Sequence, residues 1–415
     1  MRLQIPSIQY QANQTLGIHG FGNLSKLYHQ ESIRMKIAYC IPSLYNSGGM
    51  ERVLSLKASY FADKFGWDIT IITTSQKGRP NFYELSPKVK CLDLKIDYEA
   101  ISQMPILSKL QARRTATKEH KKNLIDALNQ IKPDITVSMF THEVSFLPKI
   151  KDGSKKVLEL HFSKNFRQLD AQSKNASAIK RFLLRIAQIR DNRAINGYDK
   201  FIVLTERDAQ DWKQKGIEVI PNPTPFENAP LSNHKSHRIL AVGRLCPQKG
   251  FDMLIHSWSL IPTKERGDWQ IDIVGSGPYE QELRDLISAY GVKDSVNLLP
   301  ANNDISKEYQ SHSIYCFPSR YEGFGMTLME AESHALPSVA FDCPCGPSDL
   351  IRNGATGFLV PLEDVNSFAK KLSELMLNGK LRIQMGQKAQ KFIHENLTPD
   401  IVMSKWASLF NSVLS

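Results

Sequence analysis

Glu322 and Glu330 lie eight positions apart in the stretch PSRYEGFGMTLMEAESHALPSVAFDCPCGPSDLIRNGATGFLVP, which runs from Pro318 to Pro361. Between them stand Gly323, Phe324, Gly325, Met326 and Thr327. The apolar run Ile314–Phe317 predicts a strand before this segment. Helix-type spacing carries Glu330, and Leu336–Ala340 predicts a second strand. Glycines after a strand let a backbone approach a ligand closely. The first N–H groups of the following helix lack internal partners and sit at the positive end of its dipole, which makes an anion site. Carboxylates do the opposite: they accept hydrogen bonds from hydroxyls and repel phosphate. At helical rise, eight positions span about 12 Å, so the two glutamates would hold different parts of one elongated, anionic, polyhydroxylated ligand.

Three other places carry matching chemistry. Arg244 follows the strand-like Arg238–Val242 and precedes Lys249, so two cations collect near one strand end. Arginine binds phosphate bidentately and lysine supplies a compact charge. Gly48-Gly49 lies between the strand Ile37–Ile41 and an apolar-periodic helix over Val53–Phe65, which makes another strand, glycine loop and helix unit. His161 directly follows the strand Lys156–Leu160, at the carboxyl end where open α/β sheets bind ligands. Gly275-Ser276-Gly277 lacks the third glycine of a dinucleotide fingerprint, and Pro278 stands where its helix would start.

The elements that must position these residues alternate. Strand-like runs at Asp68–Thr73, Lys90–Leu94, Asp134–Met139 and Phe201–Thr205 are separated by helix-like runs, the pattern of a doubly wound parallel sheet. The run Val219–Pro223 and the Pro-, Asn- and Ser-rich segment Thr224–His237 mark a domain boundary. A chain of 415 residues is long enough for two domains. The expected division is an N-terminal extension over residues 1–34, which is a flexible segment or a misplaced start, a first domain over 35–223 and a second over 238–393. An amphipathic last helix over 398–415 returns to the first domain.

Composition narrows the classes. The six cysteines form no CxxC pair; Cys343 and Cys345 read as a turn. Neither a zinc site nor a disulfide framework is indicated, and a reducing compartment is. No run reaches the roughly 20 apolar residues of a membrane span. Charge is uneven: residues 1–220 hold 35 Lys+Arg against 21 Asp+Glu, while residues 221–415 hold 18 against 21. Two basic stretches stand out. Lys109–Lys122 is one; Lys164–Arg193, with interleaved apolar residues, is the other. The second reads either as a helix packed on the sheet with a solvated outer face or as a docking surface for anionic lipid or a lipid-pyrophosphate acceptor. No nucleic-acid reader motif accompanies them.

Taken together, these residues resemble family 4 of the retaining glycosyltransferases, whose signature is a glutamate, Gly-Phe-Gly, and a second glutamate after seven intervening residues. The resemblance spans 35–415. It implies an α/β protein of the GT-B fold, two Rossmann-like domains facing across a cleft that holds a nucleotide-sugar, with UDP-sugar expected. Arg244, Lys249 and the Gly48-Gly49 amides would neutralise the diphosphate, His161 would face the donor sugar, Glu322 would hold that sugar and Glu330 the ribose. No metal cofactor is implied. The acceptor would be a glycan or a polyprenyl-pyrophosphate-linked glycan of bacterial cell-surface polysaccharide or lipopolysaccharide synthesis. The location would be cytoplasmic, with peripheral attachment to the inner face of the membrane as a further option. A nucleotide-sugar epimerase or hydrolase, or a non-catalytic binding protein, on the same scaffold remain the alternatives. Two departures stand out: Ala335 replaces a glycine, for which an effect on packing alone is expected, and Asp349 replaces a glutamate.

Overall fold

The computed structural model describes residues 34–164, 184, 186, 189–190, 192–212, 216–302 and 304–415. Residues 1–33 of the expected extension, and most of the basic stretch Lys164–Arg193, lie outside the described residues. Met35–Ser415 is one compact unit. Its described residues form two parallel sheets.

The first sheet comprises β1 (Lys36–Ile41), β2 (Asp68–Thr73), β3 (Lys90–Asp93), β4 (Ile135–Ser138), β5 (Lys155–Glu159), β6 (Lys200–Val203) and β7 (Ile217–Val219). Their spatial order is β3-β2-β1-β4-β5-β6-β7. The second comprises β8 (Arg238–Val242), β9 (Gln270–Val274), β10 (Val296–Leu299), β11 (Ile314–Phe317), β12 (Ser338–Phe341) and β13 (Gly357–Val360), in the order β10-β9-β8-β11-β12-β13. Central strands are buried almost end to end, as in β1 and β12, whereas β3 at an edge is largely exposed. Continuous apolar runs suit parallel sheets covered on both faces. Ile37 pairs with Ile69 on one side and Ile135 on the other, so strand order reverses between β1 and β4. The second sheet reverses between β8 and β11. Ligands bind at the carboxyl ends of strands at such reversals, and that is where the motif loops emerge.

The helix Pro399–Leu414 closes the first lobe. Thr398 caps it, its hydroxyl accepting from the Ile401 N–H, with proline at the first helical position. Val402, Met403, Trp406 and Phe410 join Phe61 and Trp67 in one core. Each such large side chain withdrawn from water stabilises by about 1.5–3 kcal/mol. The chain therefore passes between the lobes twice, and the two passages touch: the Thr224 N–H donates to the Leu397 carbonyl at 2.7 Å.

Ala335 departs from the sequence expectation. It is buried and has φ 61°, in the left-handed region. It follows the end of the helix Met326–Ser333, where glycine is usual. The consequence of alanine here is thus conformational strain rather than altered packing. Ala335→Gly is expected to stabilise the protein by about 0.5–1 kcal/mol, net of the chain entropy that glycine adds. Urea unfolding checks this: the midpoint should rise, and an unchanged or lower midpoint would refute the strain.

Candidate functional site

Local constraints explain how the loops reach the cleft. After β8 the chain forms a tight turn at Pro247–Lys249 that is bound to the Pro318–Glu322 loop. The Arg320 N–H donates to the Gln248 carbonyl at 2.8 Å, the Gln248 amide donates to the Tyr321 carbonyl at 3.0 Å, and Arg320 pairs with Asp252 at 2.6 Å. This brings the Lys249 ammonium to 2.7 Å from a Glu322 carboxylate oxygen. An ammonium has three donors, so Lys249 can hold Glu322 and still meet an anion. Arg244 is exposed at the same strand end, with no ion pair to the described residues.

Two helices start at the cleft without side-chain caps. One is Gly49–Lys64, with Gly48 at its N-cap; the other is Met326–Ser333, with Gly325 at its N-cap in the left-handed region. They begin against each other: a Cβ on Gly49 would lie 3.3 Å from Cγ of Met326. The helix begins at Gly49 rather than at Val53, so Gly49 is its first turn and not a free loop. Glu51 folds back over Gly48, where a Cβ would lie 2.2 Å from its carboxylate oxygen. Helix starts from both lobes converge, and the positive end of a helix attracts an anion; at the first, the Glu51 carboxylate already accepts from its own N–H.

His161 arrives from the first lobe. Its peptide oxygen would be 2.1 Å from a Cβ on Gly323, so the lobes touch there through backbone alone. Its Nε2 lies 3.0 Å from a Glu159 carboxylate oxygen, and the other oxygen accepts from Lys57. Lys57 and Glu159 are fully buried. Burial alone would raise the Glu159 carboxyl, but Lys57 and His161 overcome it and hold it at about 2. Ionised Glu159 only accepts, so the His161 Nε2 carries a proton and donates to it. Glu51 also senses this histidine: burial raises its carboxyl, while hydrogen bonds and the His161 charge oppose the rise.

Glu330 is buried. Arg52, from the opposite lobe, lies 2.6 Å from one carboxylate oxygen, and the Tyr309 hydroxyl donates to the other at 3.0 Å. Burial pushes the Glu330 carboxyl up; Arg52 and Tyr309 pull against it. Phe324 turns its ring into the core beside Leu204 and Leu328, so only its backbone faces the cleft. Met326 and Thr327 form the first helical turn, and the Asn222 amide donates to the Met326 sulfur at 3.4 Å. Asp349 accepts from the Glu206 N–H across the lobes at 3.3 Å, near the 3.1 Å Arg207–Asp342 pair, and serves the junction rather than the cleft. Cys343 and Cys345 are free and buried.

The sequence reading thus brought Gly48, Gly49, His161, Lys249, Glu322, Gly323, Gly325 and Glu330 to one cleft. It missed Arg52, Lys57, Glu159 and Tyr309. Arg52 stood next to the glycine pair, and charged residues inside apolar runs, such as Lys57 and Glu159, were the available signal.

Two parallel sheets of Rossmann type, with these loops at their reversals, have the GT-B architecture. The family model for glycosyl transferases group 1 matches residues 224–392. An uncharacterized glycosyltransferase of Haemophilus influenzae is 30% identical over 379 residues, covering 90% of this chain and 99% of that protein. The amylovoran biosynthesis glycosyltransferase AmsD of Erwinia amylovora is 27% identical over 392 residues, covering 91% and 99%. Among solved structures, a mutant of S. aureus TarM in complex with Fondaparinux, alpha-GlcNAc-glycerol and UDP superposes with a TM-score of 0.71 at 19% identity, covering 91% of this chain and 100% of that one. The chain belongs to the group 1 glycosyltransferases.

Glu332 yields a pH prediction. It is fully buried and neither carboxylate oxygen has a hydrogen-bond partner. Burial pushes its carboxyl up to about 8, against the charge of Arg352. The folded protein therefore keeps a proton that the unfolded chain releases near 4.5. The stability this proton confers is complete below that value and is lost as pH rises toward about 8. Glu332→Gln should remove this decline. Urea midpoints at pH 5 and pH 8 should differ more in the wild type than in the variant, and an equal difference would refute the assignment.

Gly323→Ala tests the contact between lobes. The added Cβ meets the His161 carbonyl, so transfer activity should drop about tenfold or more with the thermal midpoint little changed. Wild-type kinetics in the variant would show that the contact is dispensable.

Proposed function

We propose that this enzyme is a retaining family 4 glycosyltransferase that moves a hexose or N-acetylhexosamine from a UDP-sugar to a glycan or polyprenyl-pyrophosphate-linked acceptor. The reading places it on the cytoplasmic side, in the assembly of a cell-surface polysaccharide. The observation that carries it is the meeting of two uncapped helix starts from opposite lobes beside Lys249 and Arg244, with Glu322 and Glu330 at either side. A diphosphate fits the amides and cations; sugar and ribose hydroxyls fit the carboxylates. The names of AmsD and the TarM complex, with its UDP and alpha-GlcNAc-glycerol, point to the same donor and acceptor classes.

In this mechanism the bond between the anomeric carbon and the diphosphate oxygen breaks as the acceptor oxygen bonds to the same face of the sugar. The electron pair stays on the leaving diphosphate, which takes up the acceptor hydroxyl's proton. Arg244, Lys249 and the amides near Gly49 and Met326 stabilise the charge as it develops, the largest contribution in many enzymes. Glu322, held by Lys249, supports the positive character of the sugar ring, and Glu330 binds the ribose. His161, oriented by Glu159, contacts the donor sugar. The cations take the place of a metal ion. The helix Ile106–Ile131 buries Ala116, His120, Leu124 and Leu128 and exposes Arg113, Arg114, Lys118, Lys121 and Lys122. This basic face supports peripheral contact with an anionic membrane. Among the described residues no helix is long and apolar enough to cross one.

The test is a donor screen that reads nucleotide release from UDP-, GDP- and ADP-sugars with and without a lipid-linked acceptor. The expected outcome is acceptor-dependent UDP release, retained anomeric configuration by NMR, and no loss with EDTA. Glu322→Gln should lower kcat about 100-fold or more. Release without acceptor would make the protein a hydrolase, an altered free sugar would make it an epimerase, and activity lost to chelator and restored by manganese would overturn the metal-free mechanism.

A further inference from the structure

Arg52 lies three residues beyond Gly49, on the first turn of a first-lobe helix, and reaches Glu330 in the second lobe. Its guanidinium carbon is 5.0 Å from the centre of the Phe226 ring and 5.5 Å from that of Tyr83. Phe226 belongs to the first passage between the lobes. Tyr83 lies in the segment between β2 and β3, and its hydroxyl donates to the Ser47 carbonyl at 3.0 Å. Two aromatic rings and a carboxylate thus fix a flexible side chain in one place. The Arg52 side chain is 21% exposed and that of Glu330 4%.

The chemistry follows from burial. An ionised carboxylate taken out of water is costly unless paired. The groups facing Glu330 are Arg52, Tyr309, Tyr315, Lys249 and Tyr83, with the His334 ring on its peptide oxygen at 2.7 Å. Of those that favour the charged form, Arg52 has the largest effect. An ionised carboxylate offers about four lone-pair sites. Arg52 and Tyr309 take one each, which leaves two for the adjacent hydroxyls of a ribose.

We propose that Arg52 is a positioning residue of the donor site, which reaches across the cleft to hold Glu330 ionised and oriented, so that closure of the lobes and recognition of the nucleoside occur together. The proposal rests on the reading of Glu330 as the ribose-binding group. It adds a residue of the opposite lobe to nucleotide recognition: the second lobe binds the nucleoside fully only with the first lobe in place.

The probe is UDP alone, titrated calorimetrically between pH 5 and pH 8 into the full chain and into its R52Q, R52K, E330Q and R52Q/E330Q variants. Every comparison is made at one pH, so the titration of the UDP terminal phosphate cancels. R52Q should weaken UDP about tenfold at pH 6. The deficit should grow as pH falls, because Glu330 without Arg52 takes up a proton at higher pH. R52K should recover most of the affinity and the wild-type pH dependence. In the double variant R52Q should add little to the effect of E330Q, since both act through one carboxylate. If E330Q binds UDP as the wild type does, the ribose reading of Glu330 fails. If E330Q weakens binding but R52Q matches the wild type at every pH, the Arg52 proposal alone fails. Equal, pH-independent losses in R52Q and R52K would mean a structural contact between lobes and would also overturn it.

Discussion

Two helices that start against each other across an interface set up a charge problem that shapes the rest of the cleft. Each start presents the positive end of a dipole, and Lys249, Arg244 and Arg52 add to the same sign. Side-chain caps would relieve this in an ordinary junction, but glycine occupies both N-caps. The protein balances the excess with carboxylates set to the sides. Glu51 folds over Gly48, Glu322 takes Lys249, and Glu330 takes Arg52. The glycines at 49 and 323 let the lobes approach closely, backbone against backbone or side chain, where a Cβ would crowd them.

Beneath the cleft lies a second balance of charges. Lys57 and Glu159 form an ion pair inside the first lobe, with the ammonium over the Trp406 ring at 3.9 Å. A buried pair of this kind adds little net stability. Its value here is geometric, because one carboxylate oxygen holds the lysine while the other holds the His161 ring. The last helix, which contributes Trp406, thereby supports a residue just past the carboxyl end of β5.

Much of the fold was legible because it is local. The alternation of apolar runs and helical spacing gave the parallel sheets, and the motif from Glu322 to Glu330 marked the strand-to-helix turn at the second reversal. Boundaries moved by a residue or two, as at Lys90–Asp93. The larger shift, the helix that starts at Gly49, arose because Glu51 serves the helix start and makes the glycine pair part of it. Long-range pairing was not legible. Arg52 and Glu330 are 278 positions apart, and Lys57 and Glu159 are 102 apart. No local periodicity records such partners. The left-handed backbone at Ala335 was equally hidden, since alanine gives no sign of a conformation that glycine would advertise.

The double passage between the lobes has a mechanical meaning. Pro221-Asn222-Pro223 stiffens one passage, and the Thr224–Leu397 hydrogen bond fastens it to the other. A single tether would let the lobes swivel about any axis. Two tethers fastened side by side act as the leaves of a door hinge: they resist twisting and sliding and leave one soft direction, in which the mouth of the cleft widens and narrows. Lobes closing along that direction would bring the same surfaces to the same register.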